Sequence, residues 1–439
     1  MSKRPCKAPL VVVHHAGIVA HIAQCLALTK DVLSLLEALP RRALDAPLVA
    51  LRTLVATPNA LDDEHWPHVC IEDIDCPSIP TVLTALPTFC SVHVKYFGKL
   101  SDKLRDASSA PARAPHAAAI DVATKWGHKI TSFDATLGPK ANQVDALTRI
   151  IRLCTGLVSI YARPVGRLDP SGAQDTSFLA AVLHAATHAE HVALFSPDEA
   201  EYNCGDWRPL LGTSNSRAFV STLVDVSALS VLTLAANFEA DYSFALTLLP
   251  RLVKLQELTL DRCMLEPMPS LRHTPCRLRK LTLLFCTIDD GVCLDLFDWA
   301  SQSPRLETIW LNNCDTVSSK PVLFGRYLRR WIAAGVTSVT LESCELNEPS
   351  VIAIAAALCD AHRASPFELN FGGSTERLRD EWYEVLLEAL ATCTGVSIQG
   401  LLLPYDQVAP VEAWANELHL RTSRAQQLLP SGLRVERGS

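Results

Sequence analysis

Apolar residues recur in the second half of the chain in the pattern LxxLxLxx, followed by a cysteine and one further apolar position. One copy consists of Leu255, Leu258, Leu260, Cys263 and Leu265, and the next, which matches it at every position, of Leu278, Leu281, Leu283, Cys286 and Ile288. Because side chains alternate across a strand, the two apolar residues of LxL fall on one face. Each copy therefore predicts a short strand followed by a turn into the interior.

Weaker copies extend the series in both directions. Counted from the first apolar position, the copies start at residues 229, 255, 278, 306, 336, 366 and 393. Upstream, three apolar pairs predict strands of the same kind: Phe133 with Ala135, Ile160 with Ala162, and Val192 with Leu194. A turn thiol is small and donates only a weak hydrogen bond. We therefore predict that Cys263, Cys286, Cys314 and Cys344 are buried and unreactive.

Between the strands the apolar period changes from two to about 3.6, which predicts a helix in each repeat. Two such stripes are Leu323, Phe324, Tyr327, Leu328, Trp331 and Ile332, and then Val351, Ile352, Ala355 and Leu358. The combined pattern resembles the leucine-rich-repeat family, in its helix-bearing and cysteine-containing subtype. The resemblance implies an α/β solenoid over residues 129–439, clearest over 229–346, forming a horseshoe with parallel strands inside and helices outside.

The x positions of LxL predict which side chains the strands present on the concave face. Leu284, Phe285 and Trp310 are apolar there, and we predict that they form an exposed patch with a polar border, as protein-binding hot spots do. The predicted partner-binding residues are Arg262, Leu284, Phe285, Trp310, Asn312, Asn313 and Glu342. The alternative is that Trp310 is covered by a loop or that its strand is out of register by one residue.

Residues 1–60 predict a small helical module. Apolar residues from Ile18 to Leu26 have helical spacing, and a second apolar run follows Asp31. This order resembles the F-box, although His14-His15-Ala16 stands where that family has a Leu-Pro pair. The resemblance implies binding to a Skp-type adaptor through Ile18, Val19, Ile22, Leu26, Val32 and Leu36. The alternative is an amphipathic cap that covers the first repeat.

Composition narrows the class of protein. The 439 residues are 49% apolar and carry 40 Lys and Arg against 47 Asp and Glu, a net charge of -7, so we expect no nucleic-acid partner. Fifteen cysteines without a CxxC pair favour reduced thiols in the cytoplasm or nucleus. His14, His15 and His21 interrupt the uncharged N-terminal stretch, so we expect neither a signal peptide nor a membrane anchor. Residues 61–128 are predicted as a transitional region with an exposed loop at 108–119.

No group of residues predicts a catalytic, cofactor or metal site. His184, His188 and His191 have ligand-like spacing, but the apolar face of their predicted helix directs the first two towards solvent. Asp62-Asp63-Glu64 and Glu72-Asp73 are predicted as solvated loop charges. No phosphate-binding glycine loop or nucleophile elbow occurs in the sequence.

The sequence thus predicts a non-enzymatic recognition protein. Through the F-box resemblance, we expect the substrate receptor of a Skp-cullin-F-box ubiquitin ligase, which captures a protein whose identity the sequence does not reveal. One alternative is a leucine-rich-repeat scaffold or binding protein with no role in ubiquitin transfer. A more distant one is a hydrolase or transferase within residues 41–130.

Overall fold

A computed structural model describes most of the chain. The described residues are 16–61, 63–107, 116–137, 142–164, 181–182, 184–195, 229–235, 249, 252–265, 271, 275–288, 290–372, 378–403, 407–424 and 432–437. The chain divides into two compact units, the first comprising Met1–Pro170 with Ser177–Ala189 and the second Ser171–Thr176 with Glu190–Ser439. Each unit is α/β, with strands and helices alternating along the chain.

The first unit begins with helices and then alternates strands with helices. Its described helices are α1 (Ala16–Gln24), α2 (Thr29–Ala38), α3 (Ala46–Ala56), α4 (Ile79–Ala85), α5 (Phe97–Ala107), α6 (Ala117–Trp126) and α7 (Asn142–Leu153). Its strands are β1 (His68–Cys70), β2 (Ser91–Val94), β3 (Ile130–Leu137) and β4 (Ser159–Pro164), each parallel to the next. Parallel pairing thus starts at His68, inside the interval predicted as transitional. Of the predicted loop, residues 108–115 lie outside the described residues, and Ala117 already belongs to α6.

Polar contacts from later residues hold the first two helices. The Trp66 indole donates to the carbonyl of Leu26 at 2.9 Å, and its ring meets Phe89 edge to face at 5.5 Å. Asp63 accepts hydrogen bonds from the backbone N–H and the hydroxyl of Thr29, the first residue of α2. Asp63 is exposed, in agreement with its prediction as a solvated charge, and it also caps α2 from 34 residues away. Asp62 lies outside the described residues.

The second unit contains most of the repeats. Its strands are β5 (His191–Phe195), β6 (Val231–Ala235), β7 (Glu257–Asp261), β8 (Met264–Leu265), β9 (Lys280–Leu284), β10 (Thr287–Ile288), β11 (Thr308–Asn312), β12 (Ser338–Glu342), β13 (His362–Asn370), β14 (Thr394–Leu402), β15 (Leu420–Arg424) and β16 (Gly432–Arg437). Its described helices are α8 (Asp290–Ser301), α9 (Thr316–Ser319), α10 (Pro321–Ala334), α11 (Glu348–Leu358), α12 (Asp380–Ala391) and α13 (Val408–Glu417). The result is a long, mostly parallel sheet, and described helices join β9 to β11, β11 to β12, β12 to β13, β13 to β14 and β14 to β15.

The predicted LxL positions align across the sheet. Leu258 pairs with Leu281, which pairs with Ile309, and Ile309 pairs with Val339. Every residue of this row is buried, as are the second apolar residues of the same strands. At the start of each strand, two successive backbone N–H groups share one carbonyl of the preceding repeat, as Thr308 and Glu307 share that of Arg279. The predicted repeat register is therefore confirmed from β5 to β12.

The four cysteines predicted at the turns, Cys263, Cys286, Cys314 and Cys344, are buried. Each donates to the carbonyl of the inner strand residue one repeat earlier, for example Cys286 to Leu260 at 3.3 Å and Cys314 to Leu283 at 3.4 Å. Burial raises the pKa of Cys344 to about 11 and that of Cys314 well above its usual value. These contacts satisfy carbonyls that the turn would otherwise leave without a donor.

The residue before each of these cysteines has a left-handed backbone. The residues in this position are Arg262, Phe285, Asn313 and Ser343, with φ between 48° and 54°. In the first three the backbone N–H donates to a carbonyl at the end of the following strand, such as Phe285 to Asn312 at 2.7 Å. An aromatic residue is rarely found in this conformation, so the surrounding hydrogen bonds must hold it there.

The helices bury one stripe each against the sheet. In α10 the stripe contains Phe324, Tyr327 and Trp331. Tyr327 and Trp331 pack against Phe297 of α8 at centroid distances of 5.3 and 5.1 Å, and Phe324 packs against Trp331 at 6.1 Å. In α11 the predicted Val351, Ala355 and Leu358 are buried, but Ile352 is not, and Ile354 is buried in its place. The prediction was wrong at Ile352 because the helix is apolar on nearly all sides, so the pattern alone did not fix its buried face.

The last repeats depart from the regular pattern. Ile398 pairs with Leu369, so the seventh copy lies two residues later than the predicted start at 393. Gly400, at φ +69°, lies at a register shift between β14 and β16, and Leu401 takes the buried position next to it. After β14 the chain adds two antiparallel strands, in the order β14, β16, β15. A left-handed glycine at a bulge is what this change of register requires.

Candidate functional site

The side chains opposite the buried rows form the open face of the second unit's sheet. Across β7, β9, β11, β12, β13 and β14 the paired rows of this face are Glu257, Lys280, Thr308, Ser338, Glu368 and Ser397, then Thr259, Thr282, Trp310, Thr340, Asn370 and Gln399. Most of these side chains are polar, as expected for a face that solvent reaches. Trp310 is the one aromatic residue among them.

Side chains from both neighbouring strands, β9 and β12, contact Trp310. Its indole N–H donates to Oε2 of Glu342 at 3.0 Å, and the Lys280 ammonium lies 5.9 Å from its ring centroid. Thr282 and Thr340 stand directly opposite it on the neighbouring strands. The strand pairing excludes the alternative that Trp310 is out of register by one residue, and the ring is half-buried.

Leu284 and Phe285 lie at the end of β9, diagonal to Trp310. Leu284 is opposite Asn312 and is half-buried. Phe285 is 45% exposed, and the Arg262 guanidinium lies over its ring at 5.3 Å, within the range of a cation–π contact. The turn therefore presents an aromatic ring and a cation side by side.

The remaining predicted partner-binding residues border these apolar side chains. Asn312 is half-buried at the end of β11, and Asn313 is exposed in the following turn. The backbone N–H of Asn313 donates to the carbonyl of Glu342 at 2.8 Å, which leaves both asparagine side chains on the open face. The seven predicted residues thus lie on four neighbouring strands, β7, β9, β11 and β12, or in the turns that follow them.

Asp261 belongs to the same border, although it is not among the predicted partner-binding residues. It pairs with Leu284 at the end of β7. Its Oδ1 atom is buried, has no hydrogen-bond partner among the residues that the structure describes, and lies 3.9 Å from Nε of Arg262. Burial raises the pKa of this carboxyl, and Arg262 opposes the shift. The sequence feature that distinguishes Asp261 is that it is acidic where the next repeat has a leucine, Leu284.

The six predicted adaptor-binding residues divide into two groups. Ile18 and Ile22 lie on the exposed side of α1, and Leu26 follows that helix half-buried. Val19, Val32 and Leu36 are buried within the first unit. Their side chains contribute to the core of the helices, so Ile18 and Ile22 are the two that a partner can reach most directly.

The first unit also contains a buried carboxylate with a structural role. Glu72 accepts hydrogen bonds from the backbone N–H groups of Lys95 and Tyr96 at 2.9 and 3.1 Å, next to the start of α5. Burial raises its pKa. Asp73 is bound by Lys95 and His65, whose hydrogen bonds lower its pKa to about 2 against the effect of burial. Glu72 is therefore not a solvated loop charge, which corrects the prediction for that residue, whereas Asp73 is exposed.

The histidines considered as metal ligands lie on the surface. His184, His188 and His191 are all exposed. Among the described residues, no three His, Cys, Asp or Glu side chains are placed together so that they could hold a metal ion. Within the same residues, no helix combines the length and apolar character needed to cross a membrane.

Comparison with known proteins gives no family. No protein-family model matches the chain, and no curated protein matches it. Among solved structures, the complex of Rad7 and Elc1 in yeast matches with a TM-score of 0.37 and 13% identity, over 87% of this chain and 80% of that one. A likeness this distant carries no functional argument, so function is argued from the residues.

Proposed function

We propose that this chain is a non-enzymatic, intracellular recognition protein that binds a partner protein on the open face of its repeats. The observation that carries the proposal is the patch formed by Leu284, Phe285 and Trp310, with its border of charged and amide side chains. Aromatic anchors within a polar border are typical of protein-binding hot spots. The patch lies on strands and hydrogen-bonded turns, so little ordering of this surface is needed on binding.

Quantitative comparison of proteins retained by the wild-type chain and by Trp310→Ala tests the partner site. We expect one or more proteins to be lost selectively, and the purified partner to bind the variant about 30-fold more weakly, which corresponds to about 2 kcal/mol. Thermal unfolding of the two chains should differ little because the ring lies on the open face of the sheet and not in the core. A partner retained equally by both chains, or a variant that fails to fold, would contradict the proposal.

We further propose that the helical module of residues 1–60 binds a Skp-type adaptor, which would make the chain a cytoplasmic or nuclear substrate receptor of a Skp-cullin-F-box ligase. This part rests on the F-box resemblance and on the exposed Ile18 and Ile22. Titration calorimetry with purified adaptor should detect binding, and Ile18→Asp with Ile22→Asp should weaken it at least about 10-fold. Val49→Asp, on the exposed side of α3, is the matched control. An adaptor that does not bind the wild-type chain refutes the ubiquitin role.

One observation favours a scaffold without any role in ubiquitin transfer. Val19, Val32 and Leu36 are buried inside the first unit, so half of the adaptor positions serve intramolecular packing. Under that alternative, the module is a helical cap and the adaptor experiment is negative. The Trp310→Ala comparison would then still give its expected result, which separates the two functions.

A further inference from the structure

The helices of the second unit carry a groove that is independent of the open face. It lies between α10 and α11 and has a volume of about 510 Å³. Val322, 72% exposed, and Ile352, 52% exposed, contribute its largest apolar surfaces, and Pro349 and Ala353 line it between them. Exposed β-branched residues of this size on neighbouring helices leave apolar surface in contact with water, which is unfavourable unless something covers it.

The groove exists because the two helices approach closely over small residues. A Cβ atom added to Gly325 would lie 2.7 Å from the carbonyl oxygen of Ala353 and 3.1 Å from its Cβ. Ala353 and Ala356 on α11 are likewise too short to fill the space between the helices. The floor is thus made of backbone and methyl groups, and larger apolar side chains rise on both sides. A third helix can lie in such a depression with its own apolar side chains inserted.

The charges around the groove are unequal. Arg326 and Arg329 line it from α10, whereas Glu348, in the first turn of α11, is the one acidic residue among the lining side chains. Arg329 donates to the carbonyl of Ala356 on the opposite side. Arg326 is exposed and has no hydrogen bond or ion pair with any residue that the structure describes. The groove therefore offers one arginine that is free to bind a carboxylate.

We propose that this groove binds an amphipathic helix of a partner protein, with apolar side chains seated between Val322 and Ile352 and an acidic side chain paired with Arg326. The charge distribution disfavours a second copy of the chain as occupant. Two grooves face to face would bring four arginines and two glutamates into one interface, since each copy contributes Arg326, Arg329 and Glu348. The proposal needs neither the open-face patch nor the N-terminal module.

Two labelled peptides provide the test. Both are helical, of about 14 residues to match α10, with leucines spaced three and four apart; one carries glutamates beside them and the other lysines at the same positions. By fluorescence anisotropy with the full chain, we expect the acidic peptide to bind at least about 10-fold more tightly than the basic one. Ile352→Asp should abolish that binding, and Arg326→Glu should reverse the preference between the two peptides.

Val253→Asp is the matched control, because Val253 is 65% exposed at a different place on the surface and its replacement should change nothing. Circular dichroism of each variant verifies that it folds, which is expected since the substituted side chains are exposed. Equal affinity for the two peptides, binding of neither, or acidic-peptide binding that survives Ile352→Asp would overturn the proposal. So would concentration-dependent dimerisation that Ile352→Asp abolishes, because a second copy would then be the occupant.

Discussion

The central repeats and the last repeats of the second unit bury the same apolar pairs but end their strands differently. From β7 to β12 each strand ends in a left-handed residue followed by a buried cysteine that donates to the preceding strand. After β13 the left-handed residue is Gly372, and a parallel strand still follows, whereas β14 contains the left-handed Gly400 within the strand and is followed by antiparallel strands. The apolar pairs thus recur in both regions, whereas the turn with a buried cysteine belongs to the central repeats.

The largest expected contrast is in thiol reactivity. Cys263, Cys286, Cys314 and Cys344 are buried, whereas Cys76 and Cys359 are exposed. Because reagents reach buried thiols only after the repeats open, the four should react about 1,000-fold more slowly than the exposed pair in the native state. Mass spectrometry after timed alkylation measures each site. Labelling of any of the four as fast as the exposed pair would contradict their placement inside the turns.

Alanine at Gly400 tests the change of register at β14. A Cβ there would lie 2.5 Å from Oδ1 of Asn370 and 2.8 Å from the backbone nitrogen of Gly372, in addition to the cost of its positive φ. We expect Gly400→Ala to lower the free energy of unfolding by about 3 kcal/mol. Gly335→Ala is the control, because Gly335 also has a positive φ but no atom lies within 4 Å of the added methyl group. Similar losses in urea unfolding for both variants would show that the close approach at β14 is unimportant.

Removal of one thiol from the central turns should have a smaller effect. Cys314→Ala deletes a buried sulfur and the hydrogen bond to Leu283 O, so we expect a loss of about 1 to 2 kcal/mol in urea unfolding. Cys359→Ala replaces an exposed thiol at the end of α11 and should change stability by less than about 0.5 kcal/mol. A neutral result for Cys314→Ala would mean that the turn tolerates an unpaired carbonyl.

The smallest expected effect is the pH dependence from Asp261. Because burial raises its pKa in the folded state above that of the unfolded chain, ionisation costs stability, and this loss develops as pH rises from about 4 through the folded-state pKa. Asp261→Asn should remove that loss, so its unfolding midpoint should fall less between acidic and neutral pH than that of the wild type. Asp315→Asn changes an exposed carboxyl in a later turn and measures how much the unfolding midpoint changes with pH when an unburied aspartate is removed. If the unfolding midpoints of the wild type and of Asp261→Asn change equally with pH, ionisation of Asp261 does not reduce stability.

The strands of the repeats could be predicted from the sequence, whereas the contacts around them could not. The pairing of Leu258, Leu281, Ile309 and Val339 follows from spacing alone, because a one-residue shift would expose a complete apolar row. The position of Trp310 on the open face follows from the same register. Contacts between distant parts of the chain do not follow from spacing, and the capping of α2 by Asp63 is one of them.

Two further differences arise where the local pattern is ambiguous. The exposure of Ile352 depends on which side of an almost wholly apolar helix meets the sheet, and that choice is made by the packing of α10 against α11. The shifted register at Ile398 depends on a bulge that a single glycine permits. In both cases the sequence is compatible with two arrangements, and tertiary packing selects one of them.

The thiol-to-carbonyl contacts at the central turns join only consecutive repeats. The thiol at one turn reaches the strand before it, and the left-handed residue reaches the strand after it, so no contact of this kind skips a neighbour. A segment of one repeat, such as the 30 residues from 306 to 335, therefore behaves as an exchangeable cassette. Gene duplication or deletion in steps of one cassette would preserve every junction, which allows the length of this array to evolve separately from the side chains it displays.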